Sequence, residues 1–295
     1  MQDRQNGPTP DIFRPKETLQ PFTAKTVLVT GGSNGIGAET CREFARQGAA
    51  RIVFVSRPQN EDRARGIEAE LVSLGTEVLW IGADFSQKEA PAAVIQELKK
   101  HEIGKIDVLV NNAAVAGENS KFTDEEKAAM MRANYLAPVA LTIGLKDMLA
   151  KNSSVINVAS VAGIWEDKIQ PTYSKSKKLL INMTKAWARS KWFDESIRFN
   201  TIVPGFVENT GITSWVPLSA KEIFRQETPG EMATTRSIAR KICEMASPFF
   251  KENGAVLVED GGLGEKSPDV FKRAAGLALR ALATQRKESR VTSQG

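Results

Sequence analysis

Histidine is almost missing from this chain of 295 residues: His101 is the only one. A single imidazole leaves little room for Ser-His or Cys-His triads, or for a zinc site needing several histidines. Proton transfer, if the chain performs any, must use another acid or base. Cysteine is nearly as scarce. Cys41 and Cys243 lie far apart in segments that read as helices, so two small buried hydrophobes are expected rather than a disulfide framework or a thiolate metal site. Long apolar runs are absent too, none approaching the roughly 18 residues of a spanning helix. The first residues show neither the basic region nor the apolar region of a secretory signal, so cytoplasmic residence is the default expectation. Finally, the main part of the chain has no basic stripe. The net charge of +5 equals the excess carried after position 265, where seven basic residues face two acids, Asp269 and Glu288. Nucleic acid is therefore not an expected partner.

What is present is an alternation. Residues 1–24 carry Pro8, Pro10, Pro15 and Pro21 and read as an irregular arm. From Lys25, short β-branched runs alternate with amphipathic stretches. The runs are 26–30, 51–55, 77–81, 106–110, 154–158, 197–203 and 255–258, with helical segments expected at 35–47, 60–73, 87–101, 123–150, 171–190 and 234–246. Strand and helix in turn predict a parallel sheet covered on both faces. Runs such as VLVT, IVFV and DVLV are apolar at nearly every position, as strands buried on both faces require. One domain over 25–262 is expected, with a basic C-terminal extension over 263–295 that reads as helical at about 268–287. Basic amphipathic helices do lie on membranes, but packing on its own subunit or a neighbour is the expectation here, not membrane binding.

Directly after the first run comes Thr30-Gly31-Gly32-Ser33-Asn34-Gly35-Ile36-Gly37, opening a helix. Glycines allow a tight turn and a close backbone approach to a pyrophosphate, which then sits at the positive end of the helix. Strand before and helix after make this a nucleotide-binding turn of a doubly wound, Rossmann-type α/β fold with a parallel sheet of about seven strands. The spacing TGGSNGIG resembles the TGxxxGxG of short-chain dehydrogenases/reductases. Further matches follow in order: Asp84, Asn111-Asn112-Ala113-Ala114, Asn134, Ser160, Tyr173 and Lys177 as YxxxK, Pro204-Gly205, and Glu259 to Gly262. The resemblance covers about residues 25–262.

The end of the second run chooses between nicotinamide cofactors. An acid there would accept hydrogen bonds from the ribose of NAD and repel a 2′-phosphate. This chain has Ser56-Arg57 instead. Arg57 can pair with a 2′-phosphate, and Ser33 or Ser56 can add a hydroxyl, so NADP(H) is expected. The resemblance implies further cofactor contacts at Gly31, Asn34, Gly35, Ile36 and Gly37, at Asp84 and Phe85 beside the adenine, and at Asn112 and Ala113. It also implies contacts at Tyr173, Lys177, Pro204, Gly205 and Val207.

Tyr173 and Lys177 stand four residues apart on one helix face. A free tyrosine titrates near pH 10; a neighbouring ammonium stabilises the phenolate and lowers that value. Tyr173 can then give a proton to a carbonyl oxygen or take one from an alcohol. Ser160, at a strand end, is suited to hydrogen-bond the substrate oxygen. The resemblance implies that Lys177 also binds the nicotinamide ribose and that Asn134 holds a water in a proton relay. The sequence departs from the family pattern in two places. Ala114 replaces the glycine of NNAG, and the threonine expected at the fifth residue after Pro204 is Asn209, with Thr210 following. Either the loop carries a one-residue adjustment or Asn209 makes the contact.

Substrate shape is expected from 115–122, 161–170 and a lid over 206–230, with Ser160, Ala162, Trp165, Phe206 and Trp215 lining an apolar pocket. Val216 and Phe224 belong to the same lid, where Trp215 and Phe224 have packing the lid's own helix as an equal reading. These features predict an NADP(H)-dependent oxidoreductase interconverting a ketone and a secondary alcohol on a largely apolar small molecule. The resemblance implies a homodimer or homotetramer through the helices at 123–150 and 171–190. Two rivals stand beside this reading: the same fold recruited to dehydration or cyclisation, and a regulatory protein that senses the nucleotide.

Overall fold

Burial on both faces dictates the centre of the molecule. The computed structural model describes residues 20–117, 122–165, 170–208, 210–213, 216 and 218–264. Its strands are β1 (Thr26–Thr30), β2 (Arg51–Ser56), β3 (Glu77–Gly82), β4 (Ile106–Asn111), β5 (Leu149–Val158), β6 (Arg198–Pro204) and β7 (Val256–Glu259). Four consecutive residues of β1 and five of β2 are buried, as their unbroken apolar runs require. All seven strands pair in parallel in the order β3-β2-β1-β4-β5-β6-β7. The order reverses between β1 and β4, and the crevice outside that reversal is where such sheets bind ligands.

Helices α1 (Gly35–Arg46), α2 (Glu61–Ser73) and α9 (Thr235–Ala246) enclose one core with Phe44, Ile52, Phe54, Leu71 and Ile242. Helices α3 (Ala90–Lys100), α5 (Ala137–Gly144) and α7 (Pro171–Trp187) enclose the other, around Leu98, Leu109, Leu141, Val155 and Phe199. Local chemistry sets the helix starts. Thr123 and Glu126 form a capping box before α4 (Asp124–Met131), Thr234 and Ser237 form one before α9, and Pro171 opens α7 where its missing N–H costs nothing. Cys41 and Cys243 are free and buried, and burial pushes both thiols up, away from reactivity.

Two expectations change. The helix expected over 123–150 is not one element. It runs as α4, a five-residue π-helical turn Arg132–Leu136, α5, and a short 3₁₀ turn Lys146–Met148, and Leu149 already belongs to β5. Leu141, Leu145 and Leu149 keep a helical spacing, which hides this break, but Leu149 pairs with Ile106 of β4. The arm over 1–24 is also not wholly outside the core. Phe22 is buried and packs edge-on against Phe44, ring centroids 4.7 Å apart, with its N–H donated to the Gln47 carbonyl. Residues 1–19 and the extension from 265, including the expected helix at 268–287, lie outside the described residues.

Candidate active site

One cleft of about 400 Å³ runs along the C-terminal strand ends. Its floor is the glycine turn after β1. Gly31 and Gly35 have φ of +72° and +54°, a backbone that side chains disfavour. A Cβ on Gly37 would overlap the Gly31 carbonyl oxygen, so Gly37 itself presses α1 against the turn rather than facing the cleft. The β4 end is tied to the same turn: Thr30 Oγ1 accepts from the N–H groups of Asn112 (2.9 Å) and Ala113 (3.0 Å), and Asn112 Nδ2 donates to the Thr30 carbonyl at 2.9 Å. Gly31, Ser33, Asn34, Gly35, Ile36, Asn112 and Ala113 all line the cleft, with Ala114 and Val115 beyond them.

At one extreme the cleft is bounded by Ser56, Arg57, Asn60, Arg63, Asp84 and Phe85. The Ser56 oxygen accepts from Trp80 Nε1 at 2.9 Å, and Asp84 Oδ1 accepts from the Ser86 N–H at 2.9 Å, holding the loop after β3. Arg57 is exposed and has no side-chain partner among the described residues.

At the other extreme stand Ser160, Tyr173 and Lys177, with Pro204, Gly205, Val207 and Thr210. Lys177 is 2% exposed, donates to the Val158 carbonyl at 2.8 Å, and holds its Nζ 5.7 Å from the Tyr173 ring centre. Burial brings its pKa down to about 7. Ser160 Oγ accepts from the Ala162 N–H at 3.2 Å, capping the four-residue α6 (Ala162–Trp165) while still lining the cleft. Gly163 of α6 lies so near α7 that a Cβ would stand 2.8 Å from the Lys177 carbonyl carbon, which fixes the distance between the Ser160 and Tyr173–Lys177 elements.

Asn134 sits in the π-helical turn, fully buried. Its Oδ1 accepts from the Val115 N–H at 2.7 Å, and its Nδ2 donates to the Val115 carbonyl (2.8 Å) and Ser176 Oγ (3.2 Å). Both amide protons are therefore used within the chain, and the side chain does not line the cleft.

The short chain dehydrogenase family matches residues 25–218. The chain belongs to the short chain dehydrogenase family. It is an oxidoreductase of that family. It is 31% identical over 246 residues to a 3-oxoacyl-[acyl-carrier-protein] reductase of Thermotoga maritima, covering 81% of this chain and 97% of that protein. A blue fluorescent protein from a metagenomic library, solved in complex with NADPH, superposes with TM-score 0.73 at 28% identity over 83% of this chain and 99% of that one. A dehydrogenase/reductase from Sinorhizobium meliloti gives TM-score 0.75 at 28% identity over 84% and 98% of the two chains.

The substrate wall expected from the sequence is distributed differently among the described residues. Phe206 does not line the cleft; it stacks on Phe224 of α8 (Leu218–Glu227), centroids 4.3 Å apart and planes 2° apart. Trp165 is also away from the cleft, wedged against Gly264. Ala162 is buried behind Tyr173 with Met130. In each case an apolar side chain is better satisfied by a neighbouring apolar group than by the open cleft. Asn209 and Trp215 lie outside the described residues, whereas Thr210 packs over Gly35 and shares a 2.9 Å hydrogen bond with Thr213 Oγ1. Asn60, Arg63 and Thr213 line the cleft without having been singled out from sequence. Arg63 carried one readable sign: a cation in the first turn of a helix, where the macrodipole disfavours it.

Proposed function

We propose that this family member is an NADP(H)-dependent enzyme interconverting a ketone and a secondary alcohol on a largely apolar small molecule. The observation that carries the reading is that the glycine turn, Arg57 and the Ser160–Tyr173–Lys177 group line one continuous cleft. The NADPH complex of the metagenomic relative supports the cofactor. The chain's own residues fit it: Gly31 and Gly35, both with positive φ, line the cleft where α1 begins, so backbone and not side chain faces the helix start, and Arg57 offers a cation with no side-chain partner among the described residues. Gly31, Ser33, Asn34, Gly35 and Ile36 would hold the pyrophosphate, Arg57 with Ser56 the 2′-phosphate, and Asp84 with Phe85 the adenine side. Asn112, Ala113, Pro204, Gly205, Val207 and Thr210 would bound the nicotinamide half.

A nicotinamide held there would supply or take up the hydride. Tyr173 gives its phenolic proton to the carbonyl oxygen, or removes one in the reverse direction. Lys177, held by the Val158 carbonyl, favours the tyrosinate through its positive charge, since each charged group stabilises the other. Ser160 steadies the substrate oxygen. Asn134 acts as a positioning residue, clamping the loop at Val115. The apolar lining at Ala114, Val115, Ala116 and Val207 favours an uncharged substrate surface. Assembly as a homodimer or homotetramer is supported by Leu136 and Ile143, apolar yet 50% and 42% exposed around α5.

The test is a fluorescence titration with NADPH and NADH, then a carbonyl screen following NADPH absorbance, with Tyr173→Phe alongside. Preferential NADPH binding and turnover that collapses in the variant establish the reading. Tight binding with no turnover on any carbonyl moves the fold to the recruited, non-redox role.

A further inference from the structure

Arg57 is not the only arginine on its rim. Arg63, the third residue of α2, lines the same stretch of cleft, is exposed, and has no side-chain partner among the described residues. Its neighbour Arg65 shows what an arginine of this helix ordinarily does: it pairs with Glu61 (3.4 Å) and Glu68 (2.8 Å) and lies 4.9 Å from the Trp80 ring centre. Arg63 has Glu61 and Asp62 beside it in sequence, but residues one and two apart do not share a helix face. It also sits in the first turn, where a cation opposes the helix dipole. Fold stability therefore gives no reason for it. Asn60, just before α2, lines the rim too and makes no capping bond. Three side chains able to donate hydrogen bonds line this cleft within seven residues of chain, none of them bonded to a partner among the described residues.

Such a group is complementary to a compact dianion. Guanidinium forks bind phosphate oxygens in pairs, and the opposing dipole field of the helix end becomes favourable once an anion is present. The sheet order says which phosphate. These residues follow β2, three strand spacings from β5 and its Ser160, roughly 14 Å at about 4.8 Å per strand. That is remote from Ser160, and a pyrophosphate would be met separately at Gly35–Ile36.

We propose that Arg63 is a second ligand of the cofactor's 2′-phosphate, completing with Arg57 and Asn60 a three-sided phosphate site that sets the preference for NADP(H) over NAD(H). The proposal rests on the NADP(H) reading above. Full-length wild type, Arg63→Gln, Arg63→Lys and Arg57→Gln are titrated with NADPH, NADH and adenosine 2′,5′-bisphosphate at two salt concentrations. Arg63→Gln weakens NADPH and the bisphosphate about tenfold, leaves NADH within about twofold, and flattens the salt dependence; Arg63→Lys keeps part of the affinity. Two results overturn the role of Arg63 alone: an unchanged NADPH-to-NADH ratio in Arg63→Gln while Arg57→Gln loses it, or equal weakening of both dinucleotides, which marks a general field. A wild type that binds NADH as tightly as NADPH overturns the cofactor reading itself, and this role with it.

Discussion

The two ends of the cleft solve opposite problems. Around Tyr173 and Lys177 the side chains are buried and tied down: the lysine is held by Val158, the loop facing it by Asn134, and α6 and α7 meet at a glycine. Around Arg57 and Arg63 the side chains are exposed and tied to nothing among the described residues. A proton donor must sit at one place and orientation, which needs burial and packing. A phosphate clamp needs unspent charge within reach, and exposure keeps the arginines soluble until the anion arrives. Rigidity belongs to the chemistry, availability to the recognition.

The largest break in this contrast comes from Tyr173→Phe. Loss of the phenolic proton lowers kcat by about 10²–10⁴-fold while NADPH affinity stays within about twofold, checked by steady-state kinetics beside the titration. A fall in affinity of the same size would show that the two ends are not separable.

The sequence made this end legible because its residues recur at motif spacing, and because the strands needed for the sheet are apolar without interruption. Phe206 and Trp165 were another matter. An aromatic in a variable loop reads the same whether it faces a substrate or a partner ring, and only the placement of Phe224 and Gly264 separates the two. The break inside 123–150 was hidden for a related reason, since leucines at helical spacing also serve the start of β5. Arg63 escaped because surface arginines on helices are common, and its lack of a partner is a three-dimensional fact.

Gly37→Ala is the next largest. The added methyl group meets the Gly31 carbonyl oxygen, a backbone atom that cannot step aside, so α1 must shift. Thermal and urea unfolding should show a loss of about 1–3 kcal/mol, with NADPH binding weakened as the turn opens.

Lys177→Met sharpens the contrast through pH. In the folded, nucleotide-free protein this amine titrates at about 7, against an ordinary 10.5. Below pH 7 both states carry the proton, and the cost of burying the charge is fully present. Between about 7 and 10.5 the unfolded state binds more protons than the folded one, so stability rises with pH across that window. Urea midpoints at neutral and at alkaline pH should diverge in wild type by more than in Lys177→Met; parallel shifts would mean that the lysine is hydrated.

Phe206→Ala is the smallest, removing the stack that holds α8 to the loop after β6, beside the 2.8 Å Glu208–Arg225 ion pair. About 1 kcal/mol of stability is expected to go, with KM changed more than kcat.

Phe22 carries a practical consequence for where the domain begins. Sequence patterning invites a boundary at Lys25, one residue before β1, yet a fragment started there would lack the ring that fills the space beside Phe44. Deleting a buried phenylalanine side chain typically costs about 3–5 kcal/mol, a large share of a domain's whole stability. A fragment meant to keep this packing must therefore start upstream of the first strand, no later than the turn that opens with Gln20.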